Sequence, residues 1–326
     1  MLCIKDSHTD PYFNLAAEEY VLKQFTEDCF MLWRNEPSII VGKHQNTLAE
    51  INLDYVRKKN IKVVRRISGG GAVFHDPGNL NFTFIITGES GSLVDFRKFT
   101  RPILEILQRL SIEAKFEGKN DLRIEGKKFS GNAEHIWKNR TLHHGTLLFS
   151  SDLNILSEAL KTDPFKFRDR AVKSVRSGVT NISGHLKIKM DVLQFRDYII
   201  DHIRNEYDDF KLYNYTPKDI TEIQKLCDEK YSQWEWNYGY SPKYDYENKI
   251  KTENGIIEFY MSVEKGYIVE TKLYADFLNA AEIKMIEEAL SGIKHDPEAI
   301  LEIIHRSRFD DFLKNITPEE FVRGMF

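Results

Sequence analysis

The decisive stretch of the sequence reads RRISGGGAVFHD and runs from Arg65 to Asp76. Residues 61 to 66 (IKVVRR) are rich in β-branched residues and predict a strand, so the three glycines fall in the turn that follows. A backbone without Cβ atoms can turn its N–H groups toward an anion. A glycine triplet alone is usually a flexible turn, but two arginines before it and a His-Asp pair after it indicate a phosphate-binding loop.

A second informative segment reads KKFSGNA, from Lys127 to Ala133. Its small residues would let a ligand approach a strand closely. Because side chains alternate along a strand, only one of the two lysines can share the face of Ser130. We predict that this is Lys128 and that Lys127 points the other way with Phe129. Lys128 is therefore a candidate charge for a phosphate or a developing oxyanion, whereas a lone lysine on a strand otherwise lies at the surface.

The composition excludes several classes of protein. The chain has 326 residues, 41% of them apolar, and a net charge of −4, which argues against a broadly basic nucleic-acid surface. Because the sequence contains neither a targeting segment nor a run of eighteen apolar residues, we expect no membrane partner. Cys3, Cys29 and Cys227 are odd in number and widely spaced, which indicates a reducing, cytoplasmic location.

Hydrophobic periodicity predicts an α+β fold and not a regular βαβ alternation. Helices are expected over residues 14–25, 95–110 and 190–207. The segments CFMLW and SIIVG, on either side of Asn35-Glu36-Pro37, are predicted to be paired strands. Further strands are expected at LNFTFII, in a DLRIEG to KKFS hairpin around Gly126, and at TLHHGTLLF.

The composition changes after Tyr231 to a connector rich in aromatic residues, Gly, Pro and charge. We place a domain boundary near Lys249, which gives a domain of residues 1–249 and a second of residues 250–326. The second domain is predicted to contain two strands, GIIEFYMSV and GYIVETKLY, followed by a helix over residues 279–290 and then short helices.

Four segments, in this order and spacing, resemble the lipoate-protein ligases of the two-domain bacterial type: RRISGGGAVFHDPGNLNFTF, GKNDLRIEGKKFSGNA, HHGTLLF and SVRSGVTNI. The resemblance covers essentially the whole chain. It implies a biotin/lipoate-ligase-like catalytic domain, in which helices flank mixed sheets, and a small α+β C-terminal accessory domain.

The resemblance also implies a reaction. Lipoate would attack the α-phosphate of ATP, with Mg²⁺, to give lipoyl-adenylate. The lysine amine of a carrier protein would then take the lipoyl group. The implied carriers are proteins with lipoyl domains, namely E2 subunits of 2-oxoacid dehydrogenases and the H protein of glycine cleavage, and the ligase is expected to be a monomer.

By the same resemblance Lys128 is the catalytic residue, and Asp121 is a candidate Mg²⁺ ligand that could equally belong to a structural turn. Arg176 would be the cation of a loop, residues 174–181, that closes over the adenylate. His144 could equally be a core histidine. The predicted residues that bind ATP or lipoyl-adenylate are Arg65, Arg66, Ser68, Gly69, Gly70, Gly71, Ala72, Val73, Phe74, His75, Asn79, Asn120, Asp121, Lys128, Ser130, Gly131, Ala133, His144, Gly145, Thr146 and Arg176.

Three other interpretations remain. An octanoyl or lipoyl transferase of the same fold needs a cysteine nucleophile, and none of the cysteines lies between Arg65 and Asn181. A biotin-protein ligase would carry a G-R-G-R-x-G loop that this sequence lacks. A regulator that binds the adenylate without transferring it is distinguished by a transfer assay. Tyr240 departs from the family, which commonly has lysine there.

Overall fold

The computed structural model describes residues 1–88, 94–175, 177–309, 313 and 315–326. The chain forms two compact units. The first unit contains residues 1–43, 56–160 and 174–233, and the second contains residues 44–55, 161–173 and 234–326. Within the described ranges, no helix is long and apolar enough to cross a bilayer.

The strands of the described ranges follow one another as β1 Leu2–Lys5, β2 Cys29–Trp33, β3 Ser38–Val41, β4 Lys62–Arg65, β5 Val73–His75, β6 Asn79–Thr87, β7 Ala114–Glu117, β8 Asp121–Ile124, β9 Lys127–Trp137, β10 Arg140–Leu148, β11 Phe167–Asp169, β12 Lys211–Tyr213, β13 Tyr244–Thr252, β14 Gly255–Glu264 and β15 Tyr267–Ala275. The α-helices are α1 Pro11–Gln24, α2 Thr47–Glu50, α3 Leu53–Lys58, α4 Phe96–Arg109, α5 Leu153–Ala159, α6 Val192–Glu206, α7 Pro217–Leu226, α8 Ala280–Leu290, α9 Pro297–Arg306 and α10 Pro318–Arg323.

The first unit contains two sheets. The larger has the strand order β12-β1-β2-β6-β10-β9-β8-β7, in which β1 runs parallel to both of its neighbours and the other pairs are antiparallel. The smaller has the order β4-β3-β5, with β3 parallel to β4 and antiparallel to β5. The mixed sheets and flanking helices confirm the predicted α+β class.

The core of the first unit lies on one face of the larger sheet. On β6 the alternate residues Leu80, Phe82 and Phe84 pack in the same cluster as apolar residues of α4 and α6. The intervening residues of β6, Asn79, Asn81 and Thr83, are also buried but polar. The other face of this sheet is therefore a covered polar surface, which is where buried hydrogen-bonding groups can be arranged around a ligand.

Helix α1 is fixed at both ends. Asp10 caps its N-terminus by accepting hydrogen bonds from the backbone N–H groups of Tyr12 and Phe13. At the other end Arg140 of β10 donates to the carbonyls of Val21 and Leu22, which places a cation on acceptors of the last helical turn.

The second unit is built on the antiparallel sheet β11-β13-β14-β15. Helix α8 packs against β15, and apolar residues of β13 to β15 share a core with α8, α9 and α10. This arrangement confirms the strand-strand-helix prediction. The boundary that we placed near Lys249 falls inside β13, whereas the last segment of the second unit begins at Trp234.

The predicted helices correspond to α1, α4, α6 and α8, and the hairpin around Gly126 is formed by β8 and β9. Gly126 has a φ of +75°, which glycine adopts without strain. The predicted pairing of CFMLW with SIIVG is wrong. These segments are β2 and β3, and they belong to different sheets because β2 pairs with β1 and β6 while β3 pairs with β4 and β5.

Candidate active site

The glycine loop, residues 69–71, is held in place by Arg66. This guanidinium donates to the carbonyls of Gly69 at 2.6 Å, Gly71 at 2.8 Å and Ile40 at 3.0 Å, and to Ser68 Oγ at 3.0 Å. Arg66 is buried, and its burial lowers the pKa to about 10, so the side chain is still a cation at neutral pH. With its carbonyls turned toward Arg66, the loop is a fixed turn and not a mobile one.

Close backbone packing explains part of the glycine pattern. Gly70 has a φ of +91°, and a Cβ atom on Gly42 would lie 2.0 Å from the Gly70 carbonyl oxygen. Around Gly69 no protein atom lies within 4 Å of the position that a Cβ would take, among the atoms described. Gly69 thus lies beside open space, and a ligand could approach the backbone there.

Arg65 lies at a different place from Arg66. It is fully buried and donates to the carbonyls of Gly42 and Lys43 at 3.0 and 3.2 Å. Of these two arginines, Arg66 supports the glycine loop directly, and Arg65 supports residues 42–43, which follow β3. Val73 and Phe74 follow the loop into β5, where they pair with Ile40 and Ile39.

Lys128 Nζ lies 2.8 Å from Asp121 Oδ1, and Arg123 holds the other carboxylate oxygen of Asp121 at 2.9 Å. The Lys128 side chain is 25% exposed. A Cβ on Gly131 would come within 2.9 Å of the lysine Cε and Nζ atoms, so the lysine side chain extends across Gly131 and would have to shift if a larger residue stood there. Among the predicted residues that the structure describes, Lys128 is thus the cation that can reach a ligand.

The predicted face of Lys128 is wrong. The register between β8 and β9 shifts, because Leu122 pairs with Ser130 but Arg123 pairs with Lys128, and Phe129 is the extra residue of this β-bulge. Ser130 therefore faces the core with its partner Leu122, and Asp121 pairs with Gly131 on the other face. The bulge brings Lys128 to the face of Gly131. Lys127 is exposed and Phe129 is in the core, as expected.

A buried chain of hydrogen bonds connects the glycine loop to α1. Ser68 Oγ lies 2.6 Å from His144 Nε2, and His144 Nδ1 lies 3.0 Å from both carboxylate oxygens of Glu18. Because a carboxylate only accepts, Nδ1 donates to Glu18, and Nε2 shares a hydrogen bond with the Ser68 hydroxyl. His144 is thus held in one orientation by partners at both ring nitrogens, which is more than an isolated core histidine requires.

The same chain continues on the polar face of the sheet. Thr83 donates to Glu18 Oε1 at 2.6 Å, and Trp33 Nε1 donates to the Thr83 hydroxyl at 2.9 Å. Sequence reasoning missed all three residues. In the sequence, Glu18 lies in a helix beside a second glutamate, an arrangement that is typical of exposed acidic residues. Only its 1% exposure in the structure distinguishes Glu18 from a surface glutamate.

His75 and Asn79 lie in a neighbouring buried polar group. His75 Nδ1 is 3.0 Å from the Asn35 amide nitrogen, and the Asn79 amide donates to Asn81 Oδ1 at 2.8 Å. Burial, with the nearby Arg66 and His144, lowers the pKa of His75 to about 3, so the ring is neutral at pH 7. Within the part of the chain that the structure describes, His75 Nε2 and Asn79 Oδ1 are buried and have no hydrogen-bond partner, and such atoms are rare unless a ligand or water meets them.

The loop over residues 174–181 contacts the site at two places. Ala72 N–H donates to Ser174 Oγ at 2.8 Å. Lys128 N–H donates to the Gly178 carbonyl and Thr180 N–H donates to the Lys128 carbonyl, both at 2.9 Å. The loop therefore joins the glycine loop to the strand of Lys128. Arg176, its predicted cation, lies outside the described residues.

The remaining predicted residues shape the sheet. Gly145 is required because a Cβ there would lie 2.2 Å from Asn132 Oδ1 and 2.5 Å from the Phe82 ring. Gly131 N–H donates to Thr146 Oγ1 at 3.1 Å, and Ala133 pairs with His144. Asn120 donates to the Asn132 carbonyl, which ties the β7–β8 turn to β9.

Comparison with family models matches both parts of the chain. Residues 10–204 match the lipoyl protein ligase A/B catalytic domain, and residues 241–325 match the bacterial lipoate protein ligase C-terminus. The first match contains every residue of the site described above.

Individual relatives match over almost the whole chain. Lipoate–protein ligase 1 of Staphylococcus aureus is 42% identical, covering 97% of both chains. Lipoate-protein ligase LplJ of Bacillus subtilis is 40% identical, covering 96% of both.

Solved structures agree with these matches. LipL1 of P. falciparum in complex with lipoate has a TM-score of 0.63 and 26% identity, covering 95% of this chain and 97% of that one. A lipoate-protein ligase A bound with ATP has the same TM-score and identity, with 73% and 98% covered. So does the ligase of a lipoylation system from Thermoplasma acidophilum, with 73% and 96% covered. The glycine loop, the charge-paired lysine and the C-terminal unit thus occur together in a chain that belongs to the lipoate-protein ligase family.

Proposed function

We propose that this protein is an ATP-dependent ligase that activates lipoate and transfers it to a lysine of a carrier protein. In the first step a lipoate carboxylate oxygen attacks the α-phosphorus of ATP, and pyrophosphate leaves. In the second step a neutral lysine amine attacks the carbonyl carbon of lipoyl-adenylate. AMP leaves, an amide forms and the amine releases a proton.

The observation that carries the proposal is the position of Lys128. Lipoate and ATP are both anions, so the first step needs a positive charge that can follow the developing charge on the acyl and phosphate oxygens. Lys128 is partly exposed, and its ion pair with Asp121 can be exchanged for a phosphate. Arg66 has four acceptors within the protein and cannot do this without releasing the glycine loop.

The glycine loop would receive the adenylate. Arg66 holds the carbonyls of Gly69 and Gly71 on its own side, and the open space beside Gly69 would allow the ligand to approach the backbone. Ala72 N–H, which donates to Ser174 in this structure, is a donor that a phosphate could take over. The loop of residues 174–181 would then move, because Ser174 would lose this hydrogen bond.

The buried network would position the acyl chain and its carboxylate. Glu18 fixes His144, and His144 fixes the Ser68 hydroxyl at the start of the glycine loop. Such a chain of partners keeps a small group oriented within a fraction of an ångström. Glu18 is thus a positioning residue, because its action on the ligand runs through His144 and Ser68.

We propose Asp121 as the protein ligand of Mg²⁺. Nucleotide-bound Mg²⁺ uses one or two carboxylates together with phosphate oxygens and water. Asp121 fits this use, because its Oδ1 atom becomes available when Lys128 turns to a phosphate, while Arg123 keeps the carboxylate oriented. When bound, the ion would neutralise charge on the pyrophosphate leaving group.

A solved relative supports the proposed carrier, and the cysteines support the proposed location. The Thermoplasma structure is titled as a ligase with its E2 lipoyl domain. We propose that this chain likewise modifies lipoyl domains, those of E2 subunits and the related H protein, and that it does so as a monomer. The cysteines Cys3, Cys29 and Cys227 are free thiols, in agreement with a cytoplasmic location.

The cysteines also distinguish the proposal from a thioester-forming transferase. All three are buried, and burial raises their pKa values to about 11 for Cys3, 12 for Cys29 and 11 for Cys227. A nucleophilic cysteine needs the opposite shift. A cysteine nucleophile is thus disfavoured.

The deciding experiment is mass spectrometry of an apo lipoyl domain incubated with the protein, lipoate and ATP. We expect the mass of one lipoyl group on the carrier and none when ATP is omitted. Pyrophosphate release without carrier modification would identify an adenylate-binding regulator. Transfer from an acylated carrier without ATP would identify a transferase.

A further inference from the structure

A second group of side chains that can bind a ligand lies between α4 and α6, and none of its members belongs to the candidate active site. His202 and Glu206 are four residues apart on α6, so they share one face of the helix, and Glu105 faces them from α4. One imidazole nitrogen and two carboxylate oxygens lie within 4.8 Å of one another. Within the described part of the chain, no other three His, Cys, Asp or Glu ligand atoms come so close.

The central residue of this group is a buried imidazole whose partners are missing from the described chain. The side chain of His202 is 2% exposed, and neither ring nitrogen has a hydrogen-bond partner. Its Nε2 atom points to Glu105 Oε2, but at 3.8 Å the two are too far apart for a hydrogen bond. Buried polar atoms without partners are rare in folded proteins, and this one is aimed into the group of acids.

The surrounding arginines do not satisfy these acids strongly. Arg101 lies 3.6 Å from Glu105 and Arg109 lies 4.0 Å from Glu206, and both arginines are more than half exposed. Exposed ion pairs at such distances contribute little and exchange readily with other cations. A doubly charged ion between the two carboxylates would be attracted to them more strongly than either arginine is.

We propose that Glu105, His202 and Glu206 form a binding site for a divalent transition-metal ion, with Zn²⁺ as the best match. One imidazole nitrogen with two carboxylate oxygens is a donor set for Zn²⁺, and a water would complete a tetrahedron. The imidazole disfavours Mg²⁺ and Ca²⁺, which take oxygen ligands. Zinc bonds of about 2.0–2.2 Å place ligand atoms about 3.3 Å apart, so the carboxylates, which are partly exposed, must rotate inward by roughly an ångström.

The ion would join α4 to α6, two helices whose apolar faces pack in the core of the first unit. Its role is therefore to stabilise this unit and not to take part in the ligase reaction. A ligand that binds only the folded state raises its stability by mass action, so thermal melting reports binding independently of activity.

The test uses the full chain, stripped with a chelator and then titrated with Zn²⁺. We expect one equivalent bound by calorimetry and a rise in Tm of about 3–8 °C when free zinc reaches a hundred times Kd. Co²⁺ in place of Zn²⁺ should give the visible absorption of a tetrahedral ion. Mg²⁺ at the same concentration should give no shift.

Two variants and a control make the test decisive. His202→Gln removes the nitrogen ligand, and Glu206→Gln removes an exposed carboxylate without disturbing the core, so it folds even if the first variant does not. At the same zinc concentration we expect at least a tenfold weaker Kd and a Tm shift of about half the wild-type value or less in Glu206→Gln, while His305→Gln, an exposed histidine on α9, behaves as the wild type. Unchanged zinc binding in Glu206→Gln, or no stoichiometric binding by the wild type, would overturn the proposal.

Discussion

Two cations of the candidate site, Arg66 and Lys128, differ in how the protein holds them. Arg66 is 6% exposed and donates to three carbonyls and one hydroxyl. Lys128 is 25% exposed and pairs with one carboxylate. Both are positively charged residues near the glycine loop, but Arg66 makes the contacts of a supporting residue, whereas Lys128 has the exposure that a reacting group needs.

The difference follows from the chemistry of the two side chains. A guanidinium presents several donors in a rigid plane and can therefore organise a loop of carbonyls, whereas an ammonium is a single charge on a flexible stem. Arginine thus occurs where several carbonyls are held together, and lysine occurs where one mobile charge is needed. Substitutions at these positions should therefore separate stability from rate.

The largest effect is expected from Lys128→Ala. Removing one preorganised charge from the reacting centre should lower the rate of lipoyl-adenylate formation by about 10²–10³, while the melting temperature changes little. Pyrophosphate release measures the rate, and circular dichroism checks the fold. Lys127→Ala is the matched control, because that side chain is exposed. A folded Lys128→Ala protein with a near-normal rate would mean that the lysine is not the reacting cation.

Arg66→Lys should give the opposite pattern. Lysine cannot reach the carbonyls of Gly69, Gly71 and Ile40 together, and leaving buried acceptors unpaired should lower the free energy of unfolding by about 2–3 kcal/mol. Urea denaturation measures this loss. If Arg66→Lys were as stable as the wild type but inactive, the distinction between supporting and reacting cation would fail.

Two neighbouring glycines sharpen the comparison further. Gly70→Ala should cost about 1–2 kcal/mol of stability, because φ is +91° there. Gly69→Ala should leave stability unchanged, because nothing described lies within 4 Å of the added methyl, but it should weaken binding of a non-hydrolysable lipoyl-adenylate analogue. Calorimetric titration and thermal melting of both variants separate the two effects. Undiminished affinity in Gly69→Ala would show that the ligand does not approach this backbone.

The smallest effect concerns the neutral ring of His75. Its pKa is lowered to about 3 in the folded state and is about 6.5 when unfolded, so the unfolded chain binds the proton first as the pH falls. This residue's contribution to stability is thus complete above pH 6.5 and is lost on acidification toward pH 3. We expect about 1 kcal/mol of loss between pH 6.5 and 5.5.

The measurement is the difference in unfolding free energy between the wild type and His75→Gln at several pH values. Other groups, including the buried His295 with a pKa of about 4, cancel in this difference. Identical pH dependence of the two proteins would show that the ring is protonated, or exposed, in the folded state.

The sequence was sufficient for elements whose pattern is local. The helices α1, α4 and α6 and the hairpin of β8 and β9 were predicted from apolar periodicity and a glycine turn. The relation of β2 to β3 was not predicted correctly, because the short Pro-containing connection between them is typical of a hairpin. Instead, β2 pairs with β1 and with β6, and β6 lies about fifty residues further along the chain.

The site shows the same limit. Lys128, Arg66 and the glycines carry signals in the sequence, since cations beside small residues are informative. Glu18 and Thr83 carry none, because their role arises only when a helix covers the polar face of the sheet. The bulge at Phe129 is likewise invisible to strict alternation, and it decides which residue lies beside Lys128.

Strand β1 has a consequence for the synthesis of this protein. It lies inside the larger sheet, between β2 and β12, and its residues 2–4 pair in parallel register with residues 211–213. As the chain leaves the ribosome, this early strand keeps one edge unpaired until more than two hundred residues have followed. An open edge is a template for association with other chains. Nascent chains that stall before Lys211 should thus be clients of chaperones, whereas release soon after Tyr213 should suffice for the sheet to close.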